Sequence, residues 1–413
     1  MQALISAILS KAGGAMFTLA LVIYLGHTTG SEASGYFYFT LAVAVMLSQL
    51  LRLGMDGVVL RLSSRYLHAG DTDALQRLAG DMLVYLVCCG AIMILFGKMI
   101  EGYAAPLVFA GESPYLLYET ALYSFVPFTL MWTSAALLKG IGKTSLSVFI
   151  EAGSVPLLVL LWMQLSAGAA GYREAVSALL WANVIASLLA LALVLRYAGC
   201  RISLPGLLPR CRELLAESVR GVWVAISNTL IVWSPLFLLG MLATPTDVGV
   251  YNAAFRVTMV IGAFSAVFRG VATPHLAGLL QRKESPVLFL KRSMTHIIVA
   301  GLLLLVAGEM TFDWLFAHFG AGFSSAAGLA MLMLVGMLAN VLFVIMETQL
   351  ILADRNDMLR SNALFTLLVG LPLTLPLIVY FQAYGAALGF VLTNVLSRSN
   401  MLYLFNRMYG CRI

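Results

Sequence analysis

Long apolar runs follow one another from Ala3 to Phe405, and no other feature constrains the chain as strongly. A hydrocarbon core of roughly 30 Å is crossed by about 20 apolar residues in helical form. Only helices and closed barrels satisfy their own backbone polar groups in that medium. Barrel strands would alternate apolar and polar residues over about ten positions, and these runs do not alternate. The expected fold is therefore all-α, a polytopic integral membrane protein of about twelve transmembrane helices. The spans are expected at 3–25, 36–60, 82–100, 119–138, 147–167, 175–195, 218–242, 249–272, 295–316, 326–352, 361–381 and 385–405.

Composition agrees: 61% of residues are hydrophobic and 11% charged, against about 45–50% and about 25% in soluble domains. That excludes an ordinary soluble enzyme. The net charge of +6 would point to nucleic acid only if basic residues shared one folded face. Here they occupy short loops, so no nucleic-acid partner is expected. With the N-terminus in the cytoplasm, the inner set is Arg61, Arg65, Arg77, Lys139, Lys143, Arg196, Arg201, Arg210, Arg212, Arg220, Arg282, Lys283, Lys291, Arg292, Arg355, Arg360, Arg398, Arg407 and Arg412. The outer loops keep Lys98 and Arg173. This asymmetry is the positive-inside pattern and places both termini in the cytoplasm.

The odd cysteine count of five gives no disulfide framework on the reducing side. No Cys-x-x-Cys or His-rich tract is present, so neither a metal nor a cofactor is expected. The N-terminal run has no charged start and is interrupted by Lys11, so it is expected to remain as the first span rather than serve as a signal peptide.

The chain also repeats. Gly26 and Gly35 flank the first interspan loop, Gly240 and Gly249 the seventh, and each glycine of the first loop recurs 214 residues later. Two six-helix lobes of like orientation follow, at 1–200 and 218–413, joined by a cytoplasmic linker at 201–217 that contains Pro205-Gly206 and Pro209.

Ionisable side chains within spans are costly, about 2.5–3.5 kcal/mol at the bilayer centre, so each invites a functional reading. Arg269, Glu151 and Glu309 stand near span ends, within reach of water. Lys11 is either a snorkelling anchor or a cavity residue. Arg52 and Asp56 are four apart, placed either to pair on one helix face or to bind and couple ions. Arg256 has Asn252 one turn before it and no acid within a turn, which makes it the foremost candidate for an anion contact. Glu347 shares a face with Asn340 and is a candidate for proton or cation coupling. Mid-span Pro127, Pro156, Pro235, Pro372 and Pro376 are expected to bend their helices.

Asp71-Thr72-Asp73 has the D-x-D form of a metal-bound nucleotide-sugar site, but Asp73 with Gln76 reads better as a capping box. No nucleophile has an evident base, and enzymatic chemistry is not visible.

Leu25-Gly26, Gly35-Tyr36, Leu53-Gly54-Met55-Asp56, Arg61 and Ser63-Ser64-Arg65-Tyr66 resemble the opening of the polysaccharide transporters. These are the O-antigen flippase group of the multidrug, oligosaccharidyl-lipid and polysaccharide (MOP) exporters. Asp247 to Arg256, with Pro274 and Leu276-Ala277, resembles that family's second half. The resemblance implies a MATE-like fold in the bacterial inner membrane, with lobes that face the cytoplasm and the periplasm alternately. It implies translocation of an undecaprenyl-pyrophosphate-linked oligosaccharide, with membrane lipids around it and other polysaccharide assembly proteins as partners. Arg256, Arg52, Lys11 and Asn252 would contact the substrate, and Asp56 and Glu347 would couple H+ or Na+. A drug/cation antiporter of the same superfamily is the nearest alternative, although no tight acidic cluster is present. A membrane polymerase or glycosyltransferase would need a sizeable outer loop or an acidic active site, and the 101–118 loop offers neither.

The topology is testable by accessibility tags. Tags at Ala69 and Pro209 should report the cytoplasm and one at Ser113 the outside. Labelling of Ala69 and Ser113 from the same side would contradict the span assignment.

Overall fold

The computed structural model describes residues 2–109, 113–166, 171–203, 205–262, 272–273, 275–276, 278–279, 282, 287–320, 322–353 and 355–409. The described residues are helical nearly throughout and contain no strand. They form two compact units, Met1–Thr229 and Leu230–Ile413.

The first unit opens with α1 (Gln2–Arg52). As a straight rod it would extend ~75 Å, far more than one crossing needs, and it breaks at Gly30 (φ 83°, ψ 176°). Glycine adopts that backbone at no steric cost. A second turn follows at once, where Leu53 (φ 46°) and Gly54 (φ 83°) are both left-handed. The span expected at 36–60 therefore ends at Arg52, and Asp56 belongs to the next helix, α2 (Met55–Ala69).

Then come α3 (Thr72–Val108), α4 (Pro114–Gly140), α5 (Thr144–Phe149), a π-helical turn (Ile150–Ser154), α6 (Val155–Leu165) and α7 (Tyr172–Tyr197). The long α8 (Leu207–Leu242) passes into the second unit, which continues with α9 (Pro245–Gly262), α10 (Val287–Ala317) and α11 (Ala326–Leu352). It ends with α12 (Asn356–Phe365), a second π turn (Thr366–Gly370) and α13 (Leu371–Tyr409), which breaks at Gln382 (φ 49°, ψ −122°). Among the described residues, eight stretches are long and apolar enough to cross a membrane, and the first and last each hold two arms. The α8 helix, with a shorter apolar stretch at Thr229–Leu242, and the α9 helix lie where the remaining two expected spans fall. Arg269, Pro274 and Ala277 lie outside the described residues.

Each unit is built around one buried helix, α4 in the first and α11 in the second. Between helices in lipid there is no hydrophobic drive, so small residues and interhelical hydrogen bonds hold the packing. Against α4, α7 buries Ala175, Ala178, Ala182, Ala186 and Ala190. The hydroxyls of Thr129 on α4 and Ser48 on α1 meet at 2.9 Å, and Ser147 Oγ donates from α5 to the Ala135 carbonyl of α4 at 2.7 Å.

The repeat seen in the glycines extends into the backbone. The α8–α9 break falls at Ala243-Thr244, at the same interval from the Gly30 break that separates the paired glycines. There Thr244 and Asp247 cap α9 reciprocally, with Thr244 Oγ1 donating to Asp247 Oδ2 at 2.6 Å and Asp247 N donating to Thr244 Oγ1 at 3.2 Å. Both α4 and α11 have 27 residues. The π turns end at Ser154 and Gly370, two residues before Pro156 and Pro372. Proline lacks the N–H for the i−4 carbonyl and its ring crowds that carbonyl, so the preceding turn widens. Two of the mid-span prolines thus have a structural effect at matched places.

Asp71, rather than Asp73, caps α3: its Oδ1 accepts from Ala74 N at 2.8 Å. Asp73 lies in the first turn and faces Arg201 at 3.5 Å. The D-x-D reading fails on this geometry, and so does the Asp73–Gln76 box.

The two arms of α13 fold onto each other through glycine. A Cβ on Gly385 would overlap the Leu377 carbonyl oxygen, whereas one on Gly57 in α2 would meet nothing within 4 Å. Gly385→Ala should lower stability by roughly 1–3 kcal/mol, while Gly57→Ala should raise it by about 0.5–1 kcal/mol through helix propensity. Thermal unfolding of the two purified variants checks the contrast, and equal melting temperatures would contradict it.

Candidate functional site

Within the first unit, the break after Arg52 determines what Arg52 and Asp56 can do. Arg52 is 5% exposed at the end of α1 and Asp56 lies in the first turn of α2. Their side chains meet across the Leu53-Gly54 turn, Arg52 Nη1 donating to Asp56 Oδ2 at 2.6 Å. Arg52 Nη2 donates to Gln49 Oε1 at 2.9 Å, and the guanidinium lies 5.2 Å from the Trp132 ring centroid on α4. The pairing arises across a turn, not along one helix face. It gives Arg52 a carboxylate, an amide and an aromatic face, so the residue is positioned and charge-compensated.

Lys11 is exposed on the first arm of α1. Glu151, in the first π turn, accepts from Lys139 Nζ at 2.9 and 3.1 Å, and Glu309 is exposed on α10.

In the second unit, α9 presents Tyr251, Asn252 and Arg256. Asn252 is fully buried, and neither amide atom has a hydrogen-bond partner among the described residues; the buried Tyr251 hydroxyl likewise has none. Each such group costs about 1–3 kcal/mol, so α9 carries polar demand that its own fold leaves unmet. Arg256 is partly exposed, with its guanidinium 5.6 Å from the Trp233 ring centroid on α8.

Glu347 belongs to a polar relay linking α11 and α13. Arg398 Nη1 donates to Glu347 Oε2 at 3.4 Å and Arg398 Nη2 to Asn340 Oδ1 at 3.0 Å. Asn340 Nδ2 donates to Asn394 Oδ1 at 3.2 Å, and Asn394 Nδ2 to the Phe390 carbonyl at 2.8 Å. Beside it, Asn362 of α12 donates to Ser397 Oγ at 3.0 Å and accepts from Asn400 at 2.9 Å. The basic-loop count places Arg398 in the cytoplasmic set. In the structure Arg398 lies within α13, its side chain 13% exposed, at a carboxylate rather than in a loop. Its place within the expected span 385–405 was the available signal.

Another cluster unforeseen in the sequence lies in the first unit, where the start of α8 is tied to α3. Arg210 clasps Asp81 in bidentate fashion, Nε to Oδ2 at 2.7 Å and Nη2 to Oδ1 at 2.9 Å. Next to it, burial pushes the Cys211 thiol pKa upward, which keeps the group protonated. Among the described residues no group of three or more His, Cys, Asp or Glu is placed to hold a metal.

The helical architecture is similar to that of solved membrane transporters. The chain is similar to the lipid II flippase MurJ in an inward closed conformation, with a TM-score of 0.75, 12% identity, and coverage of 98% of this chain and 87% of that one. It is similar also to an inward-facing multidrug resistance MATE family transporter of the MOP superfamily, with a TM-score of 0.73, 14% identity and 98% of both chains covered. A MOP superfamily transporter from Pyrococcus furiosus aligns with a TM-score of 0.60 and 16% identity over 98% of this chain and 94% of that one. A search of curated proteins gave no match. The chain belongs to the polysaccharide biosynthesis protein family, whose model matches residues 1–280.

The Arg52–Asp56 geometry generates a double-mutant test. Asp56→Asn strips the counter-charge from a buried guanidinium and should cost roughly 2–3 kcal/mol, below the range of a fully buried pair because Asp56 stays partly exposed. Arg52→Met combined with Asp56→Leu should recover part of that loss. Thermal unfolding in detergent checks it; additive losses would show that the pair is not coupled.

Proposed function

We propose that this protein moves a lipid-linked oligosaccharide, carried on undecaprenyl pyrophosphate, from the cytoplasmic to the periplasmic leaflet of a bacterial inner membrane by alternating access. Membership of the polysaccharide biosynthesis family carries the reading. The chemistry of the intramembrane groups supports it. A pyrophosphate needs a cation, and Arg256 on α9 is partly open to its surroundings. Its planar fork matches phosphate oxygens in bidentate fashion, which a lysine ammonium does not reproduce. Asn252, one turn earlier on α9, would add amide hydrogen bonds to the same ligand if α9 repacks.

In this reading Arg52 is a compensated residue that needs Asp56 released before it can hold substrate. Lys11 is a second cation available to the pyrophosphate. Coupling to H+ or Na+ falls to Glu347, whose 3.4 Å contact with Arg398 is longer than the 2.6 Å Arg52–Asp56 contact, and then to Asp56. Neutralising Glu347 would free Arg398 while leaving it the Asn340 oxygen. Both termini are cytoplasmic, and the sugar's identity is an O-antigen or other polysaccharide repeat unit.

Arg256 variants test the reading. Arg256→Ala should lower polysaccharide export roughly ten- to hundredfold, the equivalent of about 1.5–3 kcal/mol for a hydrogen bond to a charged group. Arg256→Lys should keep part of the activity. Both should reach normal membrane abundance. An alanine variant that is fully active and stable would contradict the assignment, and cation-driven efflux of drugs without glycan export would favour the antiporter.

A further inference from the structure

In the first unit a cavity of about 260 Å³ opens between α2, the start of α3 and the start of α8. Its floor is apolar, formed by Leu62, Leu78 and Leu214, and its rim is ionic. Part of that rim is already committed. Asp81 takes both bonds from Arg210, whose other donors serve the Pro205 and Ser203 carbonyls, each at 2.7 Å. Glu217 accepts from Arg61 at 2.7 Å. These groups make the wall and have little left for a ligand.

Arg65, Arg77 and Glu213 line the same cavity and form no ion pair among the described residues. Two guanidiniums therefore face one exposed carboxylate, a balance that favours an anion. The Arg65 guanidinium is steadied over the Tyr66 ring, 5.3 Å from its centroid. Size narrows the ligand class. Clefts for drug-sized ligands run to about 300–1,000 Å³, so a cavity of about 260 Å³ suits a head group and not an oligosaccharide. Guanidinium forks prefer phosphate oxygens, and the leucine floor suits the glycerol and first methylenes of a lipid. Alongside, α2 exposes Leu60 and Leu67 together with Arg61 and Arg65, an amphipathic surface of the kind that lies against a membrane interface.

We propose that Arg65 and Arg77 form a binding site for the phosphate of an anionic lipid head group, seated on Leu62, Leu78 and Leu214. The site uses neither Arg256 nor Arg52 and stands whether or not the transport reading does. Its occupant lies beside the Arg210–Asp81 clasp, so binding holds the start of α8 to α3 and stabilises the folded chain.

The test uses the full chain in detergent micelles doped with phosphatidylglycerol or with phosphatidylcholine, read by native mass spectrometry and thermal unfolding. The wild type should retain phosphatidylglycerol and melt higher with it. Arg65→Gln/Arg77→Gln should bind it at least about tenfold more weakly, and Arg65→Lys/Arg77→Lys should recover part of the binding as point charges do. Neither arginine forms an ion pair among the described residues, so the lipid-free melting temperature should not change. Should the glutamine variant be unstable without lipid, the lysine variant carries the comparison: weakened binding with the lipid preference kept supports the site, and wild-type affinity overturns it. Equal phosphatidylglycerol binding by the wild type and a stable glutamine variant would overturn it. Displacement of the lipid by an equal concentration of inorganic pyrophosphate would overturn the lipid assignment in favour of a soluble phosphate ligand.

Discussion

In hydrocarbon a polar group has no water to return to, and the rest of this structure follows from that constraint. It makes every spanning segment helical. It also explains the hydroxyls along α4, where Thr129 and Thr133 donate back to carbonyls four residues earlier at 2.6 and 2.9 Å. Charged groups obey the same rule. Arg52 has Asp56, Lys139 has Glu151 and Arg398 has Glu347, each pair joining a cation to a carboxylate that would be too costly to bury alone. Groups that fall short of satisfaction include Tyr251 and Asn252 on α9 and Asn183 on α7, and these are places where repacking has most to gain.

Much of this was legible in the residues. Apolar length gave the helices, and the spacing of Gly26, Gly35, Gly240 and Gly249 matches the interval between the helix breaks at Gly30 and Thr244. Harder to read were features decided by two adjacent residues or by distant ones. Leu53 takes a left-handed conformation that leucine resists, so hydropathy ran the second span through to 60 and put Asp56 on the wrong helix. Asp71 and Asp73 are equally good caps in composition, and only the chain's path after Gly70 (φ 70°) selects the first. The partners Trp132, Asn394 and Asp81 come from segments far away in sequence, which no local pattern announces.

The matched π turns deserve a functional emphasis. A widened turn loosens the i−4 ladder and lets a helix bend where a rigid rod would not. Both occur before a proline in the corresponding helix of each unit, one holding Glu151 and the other beside the Asn362–Ser397–Asn400 cluster. Duplicated points of compliance next to polar groups would serve the alternating access proposed above, in which each unit changes shape without breaking its own hydrogen bonds.

The central claim is that the chain translocates a lipid-linked saccharide. It is tested most directly with purified protein reconstituted into vesicles that carry a fluorescent undecaprenyl-pyrophosphate-linked saccharide on both leaflets, with a membrane-impermeant quencher added outside. The account predicts that protein-containing vesicles expose the inner-leaflet pool under an ion gradient, so that quenching proceeds well beyond the outer-leaflet share, and that Arg256→Ala vesicles do so far more slowly. Quenching that stops at the outer-leaflet share, identical to protein-free vesicles under every gradient, would contradict it.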